Sequence, residues 1–186
     1  MDKIYNIIVA GTGGQGVFTL SNVLRSLCAK NGYQCQGATF KGGAQRLGSI
    51  HSELRIIFNS DSNKSIFTSQ IAKGSLHLLI GLEPWETLRF TSYCNINTKV
   101  ISNLHKQPLY VERYKSIGSI DPSLELQKIY KNLDLVDFTL SSKAEYGNEK
   151  MVNYLILKKI IDDDILPFSF EQVKEEFLLL TSKTIK

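Results

Sequence analysis

A segment near the start of the chain has the residue types and spacing of an anion-binding turn. The run Gly11-Thr12-Gly13-Gly14-Gln15-Gly16 follows a short apolar stretch and precedes a helical pattern. Glycine permits positive φ and close approach of a ligand, and the first amides of a helix have no acceptor within it. The GxGxxG spacing of Gly11, Gly13 and Gly16 therefore predicts a seat for a phosphate or pyrophosphate. A tight turn with only a structural role is the alternative.

A second glycine-rich segment carries basic residues. It reads Lys41-Gly42-Gly43-Ala44-Gln45-Arg46-Leu47-Gly48 and follows a predicted second strand. If it lies at the same sheet edge as the first loop, Lys41 and Arg46 could clamp an anion there. Two surface charges on a loop are the alternative interpretation.

Two familiar nucleotide-binding classes fit this pattern poorly. A dinucleotide-binding dehydrogenase places an Asp or Glu near the end of its second strand to hold the ribose hydroxyls, and residues 34–40 contain no acid. A P-loop requires a Lys-Ser/Thr pair, which the first loop lacks. A self-contained Rossmann-type dinucleotide-binding oxidoreductase stays open as the second hypothesis, and a scaffold without enzymatic activity as the third.

Other candidate catalytic or metal-binding side chains are sparse. His51, His77 and His105 have no ligand spacing and no acidic partner beside them, and His77 lies in an apolar strand as a satisfied core histidine would. Glu53 and Glu83 are far apart in sequence, which favours solvated or salt-bridged carboxylates over a catalytic pair. We therefore assign no catalytic residue and no metal site.

The number and spacing of the cysteines indicate free, reduced thiols. Cys28, Cys35 and Cys94 are odd in number and have no C-x-x-C spacing, which argues against a disulfide framework and against an iron–sulfur or zinc site. We expect mostly buried thiols. Because no apolar run has the length of a signal peptide or membrane span, we also expect a cytoplasmic protein without membrane contact.

The elements that must position these residues alternate between strand and helix. Apolar runs predict strands at residues 5–10, 33–39, 50–58, 76–82, 98–102 and 133–139. Helical patterns begin at residue 17 and end at Gly32, and recur from residue 85, at 124–131, at 149–161 and after a capping box at Ser169 and Gln172. This alternation predicts an α/β fold, with one Rossmann-like domain in which helices flank a mainly parallel sheet.

Composition limits the partners and the number of domains. The chain has 186 residues, 42% of them hydrophobic and 22% charged, which suits one globular domain over residues 1–186. The net charge of +4 comes from scattered Lys and Arg residues. Nucleic-acid binding is disfavoured, because it usually requires basic residues concentrated in a patch.

Several segments together resemble a known family. They are the first glycine loop, then Ala44-Gln45-Arg46 with Gly48-Ser49, then Gly81-Leu82-Glu83-Pro84 with Glu86, Leu88 and Arg89, then Gly147-Asn148. This order resembles the gamma subunit or domain of 2-oxoacid:ferredoxin oxidoreductases, and within them the beta subunit of indolepyruvate ferredoxin oxidoreductase. Those relatives usually read H-G-M-A-Q-R-G-G where this chain has residues 41–48, so the chain departs from them at His, Met and one Gly.

The resemblance implies an accessory subunit of an enzyme that oxidatively decarboxylates a 2-oxoacid to an acyl-CoA and passes electrons to ferredoxin. Thiamine diphosphate and the iron–sulfur clusters would lie on partner subunits, and this chain alone would bind no cofactor and be inactive. CoA, the co-substrate, would contact this subunit near the active-site interface. The residues carried over for that role are Gly11, Gly13, Gly14, Gln15, Gly16, Lys41, Gln45 and Arg46.

Overall fold

A six-stranded sheet forms the centre of the computed structural model, which describes residues 4–42, 48–59, 66, 68–106 and 120–182. The strands are β1 (Tyr5–Thr12), β2 (Gln34–Lys41), β3 (Ser49–Ile57), β4 (Leu78–Gly81), β5 (Lys99–Asn103) and β6 (Leu133–Val136). Their spatial order is β2-β3-β1-β4-β5-β6.

Five of the six strands run in the same direction. Parallel pairs join β1 to β4, β4 to β5 and β5 to β6, while β3 is antiparallel to both β1 and β2. The prediction of a mainly parallel sheet is confirmed. The β1–helix–β2 unit is nevertheless split, because β3 is inserted between β1 and β2.

The register brings the ends of β1 and β2 to the same edge. Gly11 on β1 and Lys41 on β2 both pair with Ile50 on β3, so the three residues form one row across the sheet. Two strand spacings of about 4.8 Å separate Lys41 from Gly11 along this row. The two glycine-rich segments therefore leave the sheet side by side.

Helices cover both faces of the sheet. They are α1 (Val17–Lys30), α2 (Pro84–Arg89), α3 (Pro122–Ile129), α4 (Phe138–Tyr146), α5 (Val152–Asp162) and α6 (Phe170–Ser182), with a 3₁₀ turn at Thr91–Tyr93. The larger core lies between the sheet and α1, α4, α5 and α6. A smaller core around Ile8, Leu79 and Phe90 lies on the opposite face. None of the helices among the described residues has the length and apolarity needed to cross a membrane.

Two capping arrangements decide helix starts in the second half of the chain. Ser169 and Gln172 form the predicted capping box, with hydrogen bonds of 2.9 and 3.2 Å between each backbone amide and the other's side chain. The predicted strand at residues 133–139 is wrong beyond Val136. The Asp137 carboxylate accepts a 2.8 Å hydrogen bond from Leu140 N and begins α4, because an N-cap aspartate satisfies an amide that a strand would leave unpaired.

Candidate functional site

A crevice of about 560 Å³ lies where β1, β4 and β5 end. In open α/β sheets, ligands bind outside the carboxyl ends of the strands, at the point where the chain turns to opposite sides of the sheet. Here α1 leads from β1 towards β2, whereas β4 lies on the other side of β1. The lining residues are Gly13, Gly14, Gln15, Leu82, Asn103, His105, Thr139, Asn148, Glu149, Lys150 and Val152.

The first glycine loop forms one wall of this crevice and is folded by its own glutamine. Gln15 Oε1 accepts a 2.7 Å hydrogen bond from Thr12 N, and Gln15 N donates to Thr12 O at 3.1 Å. Gly14 and Gly16 have φ values of 98° and 83°, in the left-handed region that favours glycine. Of the predicted site residues, Gln15 shapes the loop, and Gly11 is buried within β1 and does not line the crevice.

The start of α1 presents backbone amides at this loop. Leu20 N donates to Gly16 O at 2.9 Å, so the amides of Val17, Phe18 and Thr19 precede the first intrahelical bond. No side chain of a described residue caps this helix, and its first turn contains no acid. Free amides and the positive end of a 14-residue helix dipole attract an anion.

Asn153 on α5 holds the loop from the other side. Its Nδ2 donates to Gln15 O and Gly16 O, each at 3.1 Å, and its side chain lies in the interior with 8% of the residue exposed. A Cβ atom at Gly16 would overlap the Asn153 amide. Gly16 is therefore required both by its backbone angle and by the close approach of α5.

The second glycine-rich segment is tied to the first. Gly13 N donates to Gly48 O at 3.0 Å, and Gly42 N donates to Ser49 O at 2.8 Å at the base of the β2–β3 hairpin. Lys41 is exposed at the end of β2 and forms no ion pair with a described residue. The two remaining predicted site residues, Gln45 and Arg46, lie outside the described residues.

A buried carboxylate anchors the base of this second segment. Glu86, which is 4% exposed, accepts a 2.5 Å hydrogen bond from Ser49 Oγ. Arg89 Nε and Nη2 also donate to this carboxylate, at 3.0 and 3.2 Å. Glu86 thus joins α2 to the start of β3 and has a clear structural role in the motif that follows β4.

The two glutamates considered in the sequence, expected to be solvated or salt-bridged, are both buried and have structural partners. Glu83, which is 1% exposed, caps α2 by accepting from Glu86 N and, at 3.1 Å, from Trp85 N. Glu53, which is 5% exposed, accepts a 2.6 Å hydrogen bond from Ile71 N. Buried carboxylates need such donors, because desolvation of an unpaired charge is costly.

The prediction made for the histidine partners is confirmed for His77 and wrong for His51. His77 is satisfied as predicted, since its Nδ1 accepts a 3.0 Å hydrogen bond from Asn6 N and its ring stacks on Tyr5. The expectation that the histidines lack acidic partners is wrong for His51, whose Nε2 lies 3.6 Å from Glu53 Oε1. Because side chains two residues apart on a strand share one face, this contact follows from the strand itself.

The wall of the crevice opposite the glycine loop was not predicted from the sequence. Asn103, at the end of β5, donates to Thr139 Oγ1 at 2.9 Å and accepts from Phe138 N at 3.1 Å, which joins β5 to the start of α4. The rule that ligands bind at the carboxyl ends of strands could have identified Asn103. His105 lies just beyond the end of β5, whereas Glu149 and Lys150 lie in the segment before α5, for which the sequence offers no local signal.

Charges on this wall have mixed sign. A 2.8 Å ion pair from Lys143, with a further contribution from His105, holds the pKa of Glu149 below its ordinary value. Lys150 forms no ion pair within the part of the chain that the structure describes, so its ammonium is available to an anion at the crevice.

The geometry adds a second argument against a dinucleotide site of the usual kind. Such a site reads the ribose from the end of a strand directly beside β1. Here β3 occupies that position, and the end of β2 lies one strand further away. The absence of an acid in residues 34–40 and the inserted strand are independent observations with the same implication.

A family model described as "Pyruvate ferredoxin/flavodoxin oxidoreductase" matches residues 6–177 of the chain. The Pyrococcus horikoshii protein named indolepyruvate oxidoreductase subunit IorB is 28% identical over 93% of this chain and 84% of its own length. The protein of the same name from Archaeoglobus fulgidus is 29% identical over 91% of this chain and 82% of its own length.

Solved structures share the fold. The pyruvate oxidoreductase subunit PORC of Thermotoga maritima has a TM-score of 0.59 at 15% identity, covering 96% of this chain and 93% of that one. The gamma subunit of a keto/oxoacid ferredoxin oxidoreductase from Geobacter sulfurreducens has a TM-score of 0.60 at 15% identity, covering 94% and 85%. A 2-oxoglutarate:ferredoxin oxidoreductase from Magnetococcus marinus, solved with CoA bound, has a TM-score of 0.67 at 14% identity, covering 99% of this chain and 28% of that one.

Proposed function

The chain belongs to the pyruvate ferredoxin/flavodoxin oxidoreductase family, and we propose that it is an accessory subunit of a 2-oxoacid:ferredoxin oxidoreductase. The assembly oxidatively decarboxylates a 2-oxoacid to an acyl-CoA and reduces ferredoxin. The observation that carries this proposal is the family match over residues 6–177. Because the relatives named IorB are matched over most of their length, indolepyruvate is the preferred 2-oxoacid.

The donor set of the chain supports placing the redox cofactors on partner subunits. Among the described residues, no three His, Cys, Asp or Glu side chains are grouped to hold a metal. Cys28 and Cys35 pack into the larger core, and Cys94 accepts a 3.4 Å hydrogen bond from Tyr130. We therefore assign thiamine diphosphate and the iron–sulfur clusters to other subunits. The free thiols agree with a cytoplasmic assembly.

We further propose that the crevice receives a phosphate of CoA at the active-site interface. Gly13, Gly14 and Gly16 provide the turn, α1 provides the free amides, and Lys150 provides a cation. Lys41 lies at the same sheet edge. Gln45 and Arg46, which lie outside the described residues, belong to this proposal through the family resemblance alone. Gln15 lines the crevice and also shapes the loop, whereas Gly11, buried within β1, does not line it.

Co-purification tests this assignment. The tagged chain, isolated under mild conditions from its native source, should bring with it a thiamine-diphosphate and iron–sulfur subunit in constant ratio, identified by mass spectrometry. The isolated chain should oxidise no 2-oxoacid in the presence of CoA and a dye acceptor. A chain that is purified alone and oxidises a 2-oxoacid would contradict the accessory role.

A further inference from the structure

A second cleft lies between the end of α4 and the helices α5 and α6. Its volume is about 350 Å³, which is in the range of small-molecule sites, and the described residues that line it all differ from those that line the crevice. We propose that this cleft binds a free aromatic amino acid, with the ring on an aromatic floor and the ammonium and carboxylate groups on charged side chains. The inference is independent of the CoA site and of the proposed function.

Three aromatic side chains form the floor of the cleft. The ring centroid of Tyr154 lies 6.4 Å from that of Tyr146, with the planes at 87°, and 6.2 Å from that of Phe170, with the planes at 57°. Met151 and Leu178 extend this apolar lining. Aromatic rings and a thioether attract a further aromatic ring through edge-to-face and sulfur contacts. The floor therefore favours a ligand that carries an aromatic ring.

Charges of both signs line the same cleft. Lys158 comes from α5, Lys174 from α6 and Glu145 from the end of α4. None of these three side chains forms an ion pair with a described residue. Complementary charge decides which ligands are accepted more than it decides affinity. Two cations and one anion in one small cleft therefore fit a zwitterion better than a simple anion or cation.

The hydroxyl of Tyr154 adds a hydrogen-bond donor to the cleft. The residue is 5% exposed, its ring packs on Phe177 at a centroid distance of 5.4 Å, and its hydroxyl makes no hydrogen bond with a described residue. Burial, together with the negative charges of Glu145 and Asp162, raises the pKa of Tyr154. The hydroxyl is therefore protonated at neutral pH and can donate to the ligand carboxylate, together with the two lysine ammonium groups.

Calorimetric titration of the full chain with a matched series of compounds tests the inference. L-Phenylalanine carries the ring and both charges, 3-phenylpropionate lacks the ammonium group, 2-phenylethylamine lacks the carboxylate, and L-alanine lacks the ring. We expect saturable binding of L-phenylalanine at one site per chain. Loss of the ammonium group should weaken binding roughly two- to fivefold, as expected for one exposed ion pair, and loss of the carboxylate should weaken it more. L-Alanine should show no saturable binding.

Three variants locate this binding in the cleft. Glu145→Gln should weaken the binding of L-phenylalanine roughly two- to fivefold and leave 3-phenylpropionate unaffected, because only the amino acid carries an ammonium group. Lys174→Gln should weaken the binding of both compounds. Tyr154→Phe keeps the ring and should weaken both roughly two- to tenfold through the lost hydrogen bond. Lys128→Gln, outside the cleft, is the control and should bind both as the unmodified protein does.

The variants at Glu145 and Lys174 change exposed side chains, so they should fold as the unmodified protein does. No saturable binding of L-phenylalanine would overturn the inference, and so would an affinity that both of these variants leave unchanged. Binding of 3-phenylpropionate or 2-phenylethylamine as tight as that of L-phenylalanine would show that the cleft does not recognise an amino acid.

Discussion

Asn153 donates its side-chain amide to the carbonyl oxygen of Gly16 at 3.1 Å, from a helix 137 residues further along the chain. The same amide also reaches Gln15 O. The glycine loop is thus held by its own glutamine on one side and by α5 on the other. A loop fixed before a ligand arrives loses less conformational entropy on binding, which is the physical basis for treating it as a prepared anion seat.

Asn153→Ala should destabilise the protein by about 1–3 kcal/mol, because two partly buried hydrogen bonds are lost at about 0.5–1.5 kcal/mol each. Urea unfolding measures the change in the free energy of unfolding. Asn97→Ala is the matched control, since Asn97 is exposed and its side chain makes no hydrogen bond to a described residue. Equal stability of the two variants would refute the holding role of Asn153.

Gly16→Ala should lower the free energy of unfolding by more than the strain of a positive φ value alone would. Strain at such an angle costs roughly 1–2 kcal/mol for a non-glycine residue, and the Asn153 overlap adds to it. Gly74→Ala measures the strain by itself, because Gly74 has φ 72° and open space around it. In an Asn153→Ala background, part of the Gly16→Ala penalty should disappear. Simple additivity of the two substitutions would contradict direct contact.

Glu86→Gln should lower the free energy of unfolding by about 1–3 kcal/mol. The buried carboxylate accepts from both Ser49 and Arg89, and charge-assisted hydrogen bonds of this kind contribute more than exposed ones. Glu125→Gln is the control, since Glu125 forms an i,i+3 ion pair with Lys128 that is open to solvent. The control should change stability by at most about 0.5 kcal/mol. A larger effect in the control than at Glu86 would exclude the anchoring role.

The ionised Asp134 carboxylate should stabilise the fold at neutral pH, and this stabilisation should be lost in acid. Burial alone would raise its pKa, but hydrogen bonds and charge from Lys99 and Lys159 hold it below the ordinary value. A depressed carboxyl pKa stabilises the fold above the unfolded-state pKa of about 3.9, and this contribution is lost as the pH falls through the folded-state pKa. Asp134→Asn should therefore be less stable than the unmodified protein at pH 7, with the difference shrinking in acid, as measured by urea unfolding at each pH.

The exposed residue Asp162 provides the comparison for this pH series. Asp162→Asn should follow the unmodified protein over the whole range. An Asp134→Asn difference that stays constant from pH 7 into acid would show that the lost stability has another origin.

Lys150→Gln in the assembled enzyme should raise the KM for CoA and leave the KM for the 2-oxoacid unchanged. We expect an increase of roughly two- to fivefold, because an exposed ion pair contributes about 0.2–1 kcal/mol. Lys128→Gln, on α3 and outside the crevice lining, is the control. An unchanged KM for CoA would place the phosphate elsewhere while leaving the subunit assignment intact.

Local signals predicted the first third of the fold well and the relations between segments less well. The turn after β1 and the start of α1 at Val17 follow from glycine spacing and apolar periodicity. The insertion of β3 beside β1 could not be predicted, because strand pairing depends on contacts distant in sequence. Asp137 did carry a local capping signal, and the apolar run around it was wrongly extended as a strand.

The residues of the candidate site also differ in whether a local sequence signal could predict them. Gly13, Gly14 and Gln15 were identified from their own sequence and line the crevice. Asn153 was missed, since an asparagine in an apolar helix gives no indication of which loop it will contact. The family resemblance inferred from the first loop, residues 44–49, residues 81–89 and Gly147-Asn148 is confirmed by the family match, while the CoA contact stays a prediction.

We propose that this chain completes a 2-oxoacid:ferredoxin oxidoreductase whose activity depends on CoA. The direct measurement is ferredoxin reduction by the complex purified through this chain, with indolepyruvate and CoA, compared with the partner subunits prepared without it. We expect CoA-dependent reduction only when the chain is present, with recovery when the purified chain is added back. Full CoA-dependent activity of the partner subunits alone would contradict the account.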